Sequence, residues 1–139
     1  MRQLSDIVYN QDPVVIPKTA TVKDACCEMR DRRTGSVLVS DGKGGLVGIF
    51  TGRDAVCKVL AEGRRASETL LAEVMTADPV TMTPERTAVD ALRLMWDGGF
   101  RHVPVLREGK IVGIVSRGDF KGDEHTRLEE ERELWETIR

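Results

Sequence analysis

The chain has 139 residues, 40% of them hydrophobic and 32% charged, with a formal net charge of −2. That length suits one ordinary domain, and the composition is that of a folded globular protein rather than a disordered chain. The acidic balance argues against a dedicated nucleic-acid binder, and the longest apolar stretches, Leu46–Phe50 and Ile111–Val115, fall far short of the ~20 residues of a membrane span.

In chain order, Met1-Arg2-Gln3-Leu4-Ser5-Asp6 has no apolar export signal, so a cytoplasmic location is expected. Leu4 to Tyr9 reads as a short lead-in helix, and Val14-Val15-Ile16 as an extended piece before a Pro/Thr turn. Val22, Ala25, Cys26 and Met29 have the i, i+3, i+4, i+7 spacing of one helical stripe. Two strands follow, Ser36-Val37-Leu38-Val39 and Leu46-Val47-Gly48-Ile49-Phe50, joined by the hairpin-like Asp41-Gly42-Lys43-Gly44-Gly45. A helix from Thr51 to about Glu62 closes this stretch, and Gly63-Arg64-Arg65 is a linker.

Leu70 to Met75 then reads as a second lead-in, and the same order begins again. Val80-Thr81-Met82 is the extended piece, and Ala88, Ala91, Leu92 and Met95 form the helical stripe. His102-Val103-Pro104-Val105-Leu106 and Ile111 to Val115 are the strands, linked through Arg107-Glu108-Gly109-Lys110. After Gly122 the pattern changes to a charged helical segment, Glu124 to Arg139, with Leu128, Trp135 and Ile138 on one side. Two readings of it stand: a cover for the edge of the domain, or a docking helix for a second copy or another protein.

The recurrence is one of residues as well as of pattern. Pro13, Val14, Thr21, Asp24, Ala25, Met29, Asp31, Val37 and Val39 return, 66 positions on, as Pro79, Val80, Thr87, Asp90, Ala91, Met95, Asp97, Val103 and Val105. Val47-Gly48-Ile49 and Asp54 return 65 positions on as Val112-Gly113-Ile114 and Asp119. The expected fold is α+β (mixed α/β), with two β-α-β-β-α repeats about a pseudo-twofold axis and an extra C-terminal helix. The expected boundaries are 1–66, 67–123 and 124–139. A repeat of this size would be marginal alone and is expected to depend on the other for its core. Function is expected in the two clefts that such an axis creates.

Thr51-Gly52-Arg53-Asp54 and Ser116-Arg117-Gly118-Asp119 stand where a strand turns into a helix. A helix start aims unpaired N–H groups and the positive end of its dipole outward, which suits an anion. A hydroxyl with a carboxylate three residues on can also hold a nucleotide, the carboxylate accepting from a ribose diol. The same spacing is that of an ordinary capping box, which is how Thr21-Val22-Lys23-Asp24 and Thr87-Ala88-Val89-Asp90 are read. Position at a strand end, and a glycine in each quartet, favour binding for the other two.

No catalytic set emerges. His102 has no nucleophile or orienting group near it in sequence, and Gly42-Lys43-Gly44-Gly45 lacks the full spacing of a phosphate loop. Cys26, Cys27 and Cys57 have no metal-like spacing, and the adjacent Cys26-Cys27 is read as a buried small hydrophobe beside a partly exposed neighbour rather than a redox pair. Arg32-Arg33 and Arg64-Arg65 are read as solvated surface.

The doubled pattern resembles a pair of cystathionine-β-synthase (CBS) domains, a Bateman module, over roughly residues 4 to 122. The matching stretches are Asp78-Pro79-Val80, Phe100 to Val105, Ile111 to Asp119 and their first-copy counterparts. The resemblance implies a non-catalytic regulatory module, a homodimer that binds an adenosyl ligand such as AMP, ADP, ATP, NAD or S-adenosylmethionine and acts on a regulated protein partner. It implies one cleft with Thr51, Asp54 and Arg53, the base lying on Val80, Thr81 and Met82, beside Val103 and Pro104, with Arg101 and His102 near the phosphates. The other would join Ser116, Arg117 and Asp119 to Val14, Val15, Ile16, Gly35, Ser36 and Val37. Gly35-Ser36 replaces Arg101-His102 there, so weaker binding or a less charged ligand is expected in that cleft.

Overall fold

The computed structural model describes the backbone of residues 1–138 and the side chains of residues 1–136. The end of the expected 124–139 segment, Arg139, and the side chain of Ile138 on its stripe lie outside the described residues. The elements run α1 (Leu4–Ile7), β1 (Val15–Pro17), α2 (Val22–Arg32), β2 (Ser36–Ser40), β3 (Leu46–Thr51) and α3 (Gly52–Asp54). Then come α4 (Leu71–Val74), β4 (Thr76–Ala77), α5 (Ala88–Gly98), β5 (His102–Arg107), β6 (Lys110–Ser116) and α6 (Gly122–Ile138).

Packing divides the chain into two compact units. One is Asp12–Val80 with Glu108–Ile111; the other is Met1–Gln11, Thr81–Arg107 and Val112–Arg139. Sequence repeats and packing units therefore differ, because each lead-in packs with the strands of the opposite repeat. The cause is burial. Leu4 and Val8 cluster with Ala88, Ala91, Leu92, Met95, Val103 and Val105 of the second repeat. Leu71 and Val74 cluster with Val22, Ala25, Val37, Val39 and Phe50 of the first. A repeat too small to exclude water alone is completed by apolar residues from the other.

In the unit built on the first repeat, β1-β2-β3-β4 form one sheet, with β1 parallel to β2 and the other pairs antiparallel. The expected helical stripe is present: Val22 and Ala25 are buried, and Cys26 and Met29 pack against the same cluster. Burial pushes the Cys26 thiol above its ordinary pKa, with Cys27 adding to the effect, which fits an unreactive packing residue. The closing helix starts as α3 and widens into a π-type turn over Ala55–Leu60, whose sign is the five-residue bond from Ala61 N–H to Val56 O at 2.9 Å.

The other unit departs from the expected repeat in two places. The extended piece Val80-Thr81-Met82 forms no strand, only a single parallel bridge between Met82 and Val105. In the first repeat Leu38 N–H donates to Val14 O at 2.8 Å. Pro104 occupies the equivalent position and has no N–H to give, so the parallel ladder is cut short. The second closing helix is one 3₁₀ turn, Arg117–Asp119, after which Phe120 turns extended and buried. The chain restarts helically at Gly122, with Lys121 N–H donating to Glu124 Oε1 at 2.8 Å in the manner of a helix start.

The two sheet edges are also finished differently. The β3 edge pairs with β4 through Gly48↔Ala77 and Ile49↔Thr76. At β6 the Gln11 side chain does this work: its amide accepts from Ile114 N–H at 2.6 Å and donates to Ile114 O at 3.0 Å. Gln11→Ala leaves both half-buried groups without that partner and is expected to cost about 1–3 kcal/mol in urea unfolding. An unchanged midpoint would mean that water replaces the amide at no cost.

Candidate ligand-binding quartets

Both strand-end quartets form caps, but unequal ones. Thr51 ends β3, and its N–H and hydroxyl donate to Asp54 Oδ2 at 3.0 and 3.3 Å, while Asp54 N–H donates to Thr51 Oγ1 at 3.3 Å. The other oxygen, Oδ1, accepts from the Thr76 hydroxyl at 3.3 Å and meets Lys58 Nζ at 3.1 Å. Asp54 is only 8% exposed, and both its oxygens are engaged. The i, i+4 placing of Lys58 was readable from the sequence. Thr76, which arrives from the second lead-in, carried no such signal.

Asp119 is exposed, and its Oδ2 accepts from Ser116 N–H at 2.7 Å and Ser116 Oγ at 3.2 Å. Its Oδ1 has no partner among the described residues. The backbone is held instead: Arg2 donates through Nη2 to Asp119 O at 2.9 Å and to Glu124 Oε1 at 2.7 Å, with Nε to Glu124 Oε2 at 3.2 Å. Burial pushes the Glu124 carboxyl up, but the bonds from Arg2 and the Lys121 amide outweigh it and hold its pKa below the ordinary value. Neither Arg2 nor Glu124 had a motif to announce it.

Each expected residue set divides between the units. Thr51, Arg53, Asp54 and Val80 lie in one unit, and Thr81, Met82 and Arg101 to Pro104 in the other. Val14 to Ile16 and Gly35 to Val37 lie in the first, and Ser116, Arg117 and Asp119 in the second. Within its own unit the Thr51 quartet adjoins Gly35-Ser36, since Gly52 N–H donates to Gly35 O at 3.1 Å and Ser36 pairs with Thr51. The Ser116 quartet likewise adjoins Arg101, whose carbonyl accepts from Arg117 N–H at 2.9 Å. Arg53, Arg101, Gly35, Val15, Val80 and Thr81 are exposed, His102 and Ile16 are half-buried, and Val14, Ser36, Val37, Met82, Val103 and Pro104 are buried.

One contact was not foreseen at all. The Arg117 guanidinium stacks on the Trp96 ring of α5, 4.7 Å from its centroid, and Arg132 of α6 stacks on the same ring at 5.5 Å. Among the described residues no His, Cys, Asp or Glu group could hold a metal ion, and no helix is long and apolar enough to cross a membrane.

The family model for the CBS domain matches residues 4–60 and 71–122, one match to each repeat. The chain belongs to the CBS-domain family. Its relatives include the CBS domain-containing protein CBSCBSPB3 of Arabidopsis thaliana, 37% identical over 86% of this chain. The chain spans only 22% of that relative's length. Among solved structures it is similar to a putative signal-transduction protein with CBS domains from Burkholderia ambifaria. The TM-score is 0.79 and the identity 31%, over 84% of this chain and 89% of that one. It also shares its fold with a CBS domain protein from Pyrobaculum aerophilum complexed with AMP, at TM-score 0.79 and 23% identity over 91% and 98% of the two chains. The α+β architecture of a CBS pair and the additional C-terminal helix both match expectation.

Proposed function

We propose that this CBS pair is a non-catalytic cytoplasmic sensor that binds an adenine nucleotide through its two strand-end quartets and acts as a homodimer on a regulated partner. AMP, ADP, ATP and NAD are the candidate ligands. The observation that carries this reading is the state of Asp119, an exposed carboxylate with one oxygen already tied into a cap and the other without a protein partner. Such a group can accept a ribose hydroxyl without dismantling its own turn. The AMP bound by the Pyrobaculum protein supports the choice of ligand class. Exposed Val56 and Leu60 on the π-type turn, and Leu134 and Trp135 on α6, support self-association.

Asparagine at 54 or 119 keeps a cap acceptor and removes the charge. Asp119→Asn is expected to weaken its site by roughly ten- to a hundredfold, the worth of a charge-assisted hydrogen bond or two. Asp54→Asn should weaken its own site by less, since both Asp54 oxygens already have protein partners. Calorimetric titration of AMP, ADP, ATP and NAD into wild type and both variants measures it. Affinities equal to wild type would remove the carboxylates from the ribose role.

The filled valences of Asp54 favour a second reading, in which the quartets are caps only and the pair is a ligand-free interaction module. Absence of a thermal shift with any adenosyl compound at millimolar concentration would select it.

A further inference from the structure

We propose that Arg117 is the phosphate-reading arm of the Ser116–Asp119 site, held in reserve on Trp96, and that an anionic ligand which draws it off the ring leaves Trp96 to Arg132 and fastens α6. This rests on the nucleotide reading above and adds to it the regulation of that site. The first support is the state of Arg117 itself. It lies in the quartet, it makes no ion pair among the described residues, and its Nε is buried with no hydrogen-bond partner. A guanidinium in that condition gains more from a phosphate, which it can meet with two charge-assisted hydrogen bonds, than from the face of a half-exposed indole.

The second support is that one ring serves two cations. Trp96 is 50% exposed and carries both Arg117 and Arg132, whose like charges repel one another. Removing Arg117 therefore strengthens the Arg132 stack. That stack belongs to the seat of α6 on α5, along with buried Leu128 and the ion pair between Arg93 and Glu131. Beside these contacts a groove of about 310 Å³ opens between the two helices toward exposed Trp135.

The third support is that the arrangement is confined to one repeat. The first repeat has Arg30 where the second has Trp96, and Gly52 where the second has Arg117. Arg30 there pairs with Asp31 at 2.9 Å instead. Both members of the stack are thus absent together from the first copy, so only the Ser116 site would act on α6.

The test uses the full chain with Trp135→Phe as background, so that Trp96 alone reports by fluorescence. Without ligand, Arg117→Gln is expected to change the Trp96 emission and slow amide hydrogen exchange over Leu128–Leu134 several-fold. In calorimetry Arg117→Gln should lower affinity for ATP and for tripolyphosphate roughly tenfold or more while leaving adenosine unchanged. In Arg132→Gln, ATP should bind as before but no longer slow α6 exchange beyond the rest of the chain. Unchanged or faster α6 exchange in ligand-free Arg117→Gln overturns the coupling, whatever binds. Equal losses for ATP and adenosine overturn the phosphate role while the nucleotide reading stands. Absence of ATP and adenosine binding in the parent protein counts against the nucleotide reading, and the ligand-free comparison still decides the coupling.

Discussion

Phe50→Ala is expected to lower the free energy of unfolding by about 3–5 kcal/mol. Phe50 is fully buried on β3, opposite Val37 of β2, within the cluster that also holds Val14, Val22, Val39, Val59, Leu71 and Val74. Truncation removes the transfer free energy of the ring and leaves a cavity that β-branched neighbours, stiff at χ1, cannot collapse to fill. Set against a total stability of roughly 5–15 kcal/mol for a domain, the loss is severe. Equilibrium unfolding in urea followed by circular dichroism measures it. A loss below about 1 kcal/mol would show that the cluster repacks around the missing ring. Because Thr51 and Asp54 directly follow Phe50, the variant should also bind any ligand of the Thr51 quartet less tightly.

Gly113→Val is the second large expected effect, and it reports on the exchanged lead-in. A side chain at 113 would place its Cβ 2.6 Å from Val8 Cβ, 2.7 Å from Val8 Cγ1 and 2.7 Å from Gln11 Oε1, closer than real Cβ contacts come. Val8 is short and branched, so the strain cannot be relieved at the far end of a flexible chain. The lead-in has to move, and it takes with it the Gln11 bonds to Ile114. The expected cost is about 1–3 kcal/mol or more, with faster amide exchange across Met1–Gln11. Gly48→Ala is the comparison. Its Cβ meets Met75 Sδ at 2.5 Å and Cγ at 2.9 Å, both on a flexible side chain. The Thr76 carbonyl, at 3.0 Å, has to give by only a few tenths of an ångström, so the cost should be smaller. Equal stability of Gly113→Val and wild type would mean that the lead-in does not pack on β6 as described.

Much of the fold was legible because it rests on periodicities that neighbouring residues set. The stripes Val22-Ala25-Cys26-Met29 and Ala88-Ala91-Leu92-Met95 became α2 and α5, and the short apolar runs rich in β-branched residues became β2, β3, β5 and β6. The quartets, too, were visible as hydroxyl and carboxylate three apart, and that spacing correctly implied a cap at each strand end. Spacing could not separate a saturated carboxylate from one with an oxygen to spare. That difference depends on Thr76, 22 residues beyond Asp54, whose hydroxyl takes up the second carboxylate oxygen there.

The amino-acid order by itself therefore determined the two repeats, most of their helices and strands, and which four residues follow the last strand of each one. These are local matters, decided by side-chain period, turn chemistry and the hydrogen bonds a residue offers within a few positions. Only the tertiary structure decided which repeat each lead-in completes, how each sheet edge is satisfied and which arginines share Trp96. Those outcomes join residues distant in sequence through burial and unpaired backbone groups. Such demands act on whatever the folded chain brings near, and leave no spacing to read beforehand.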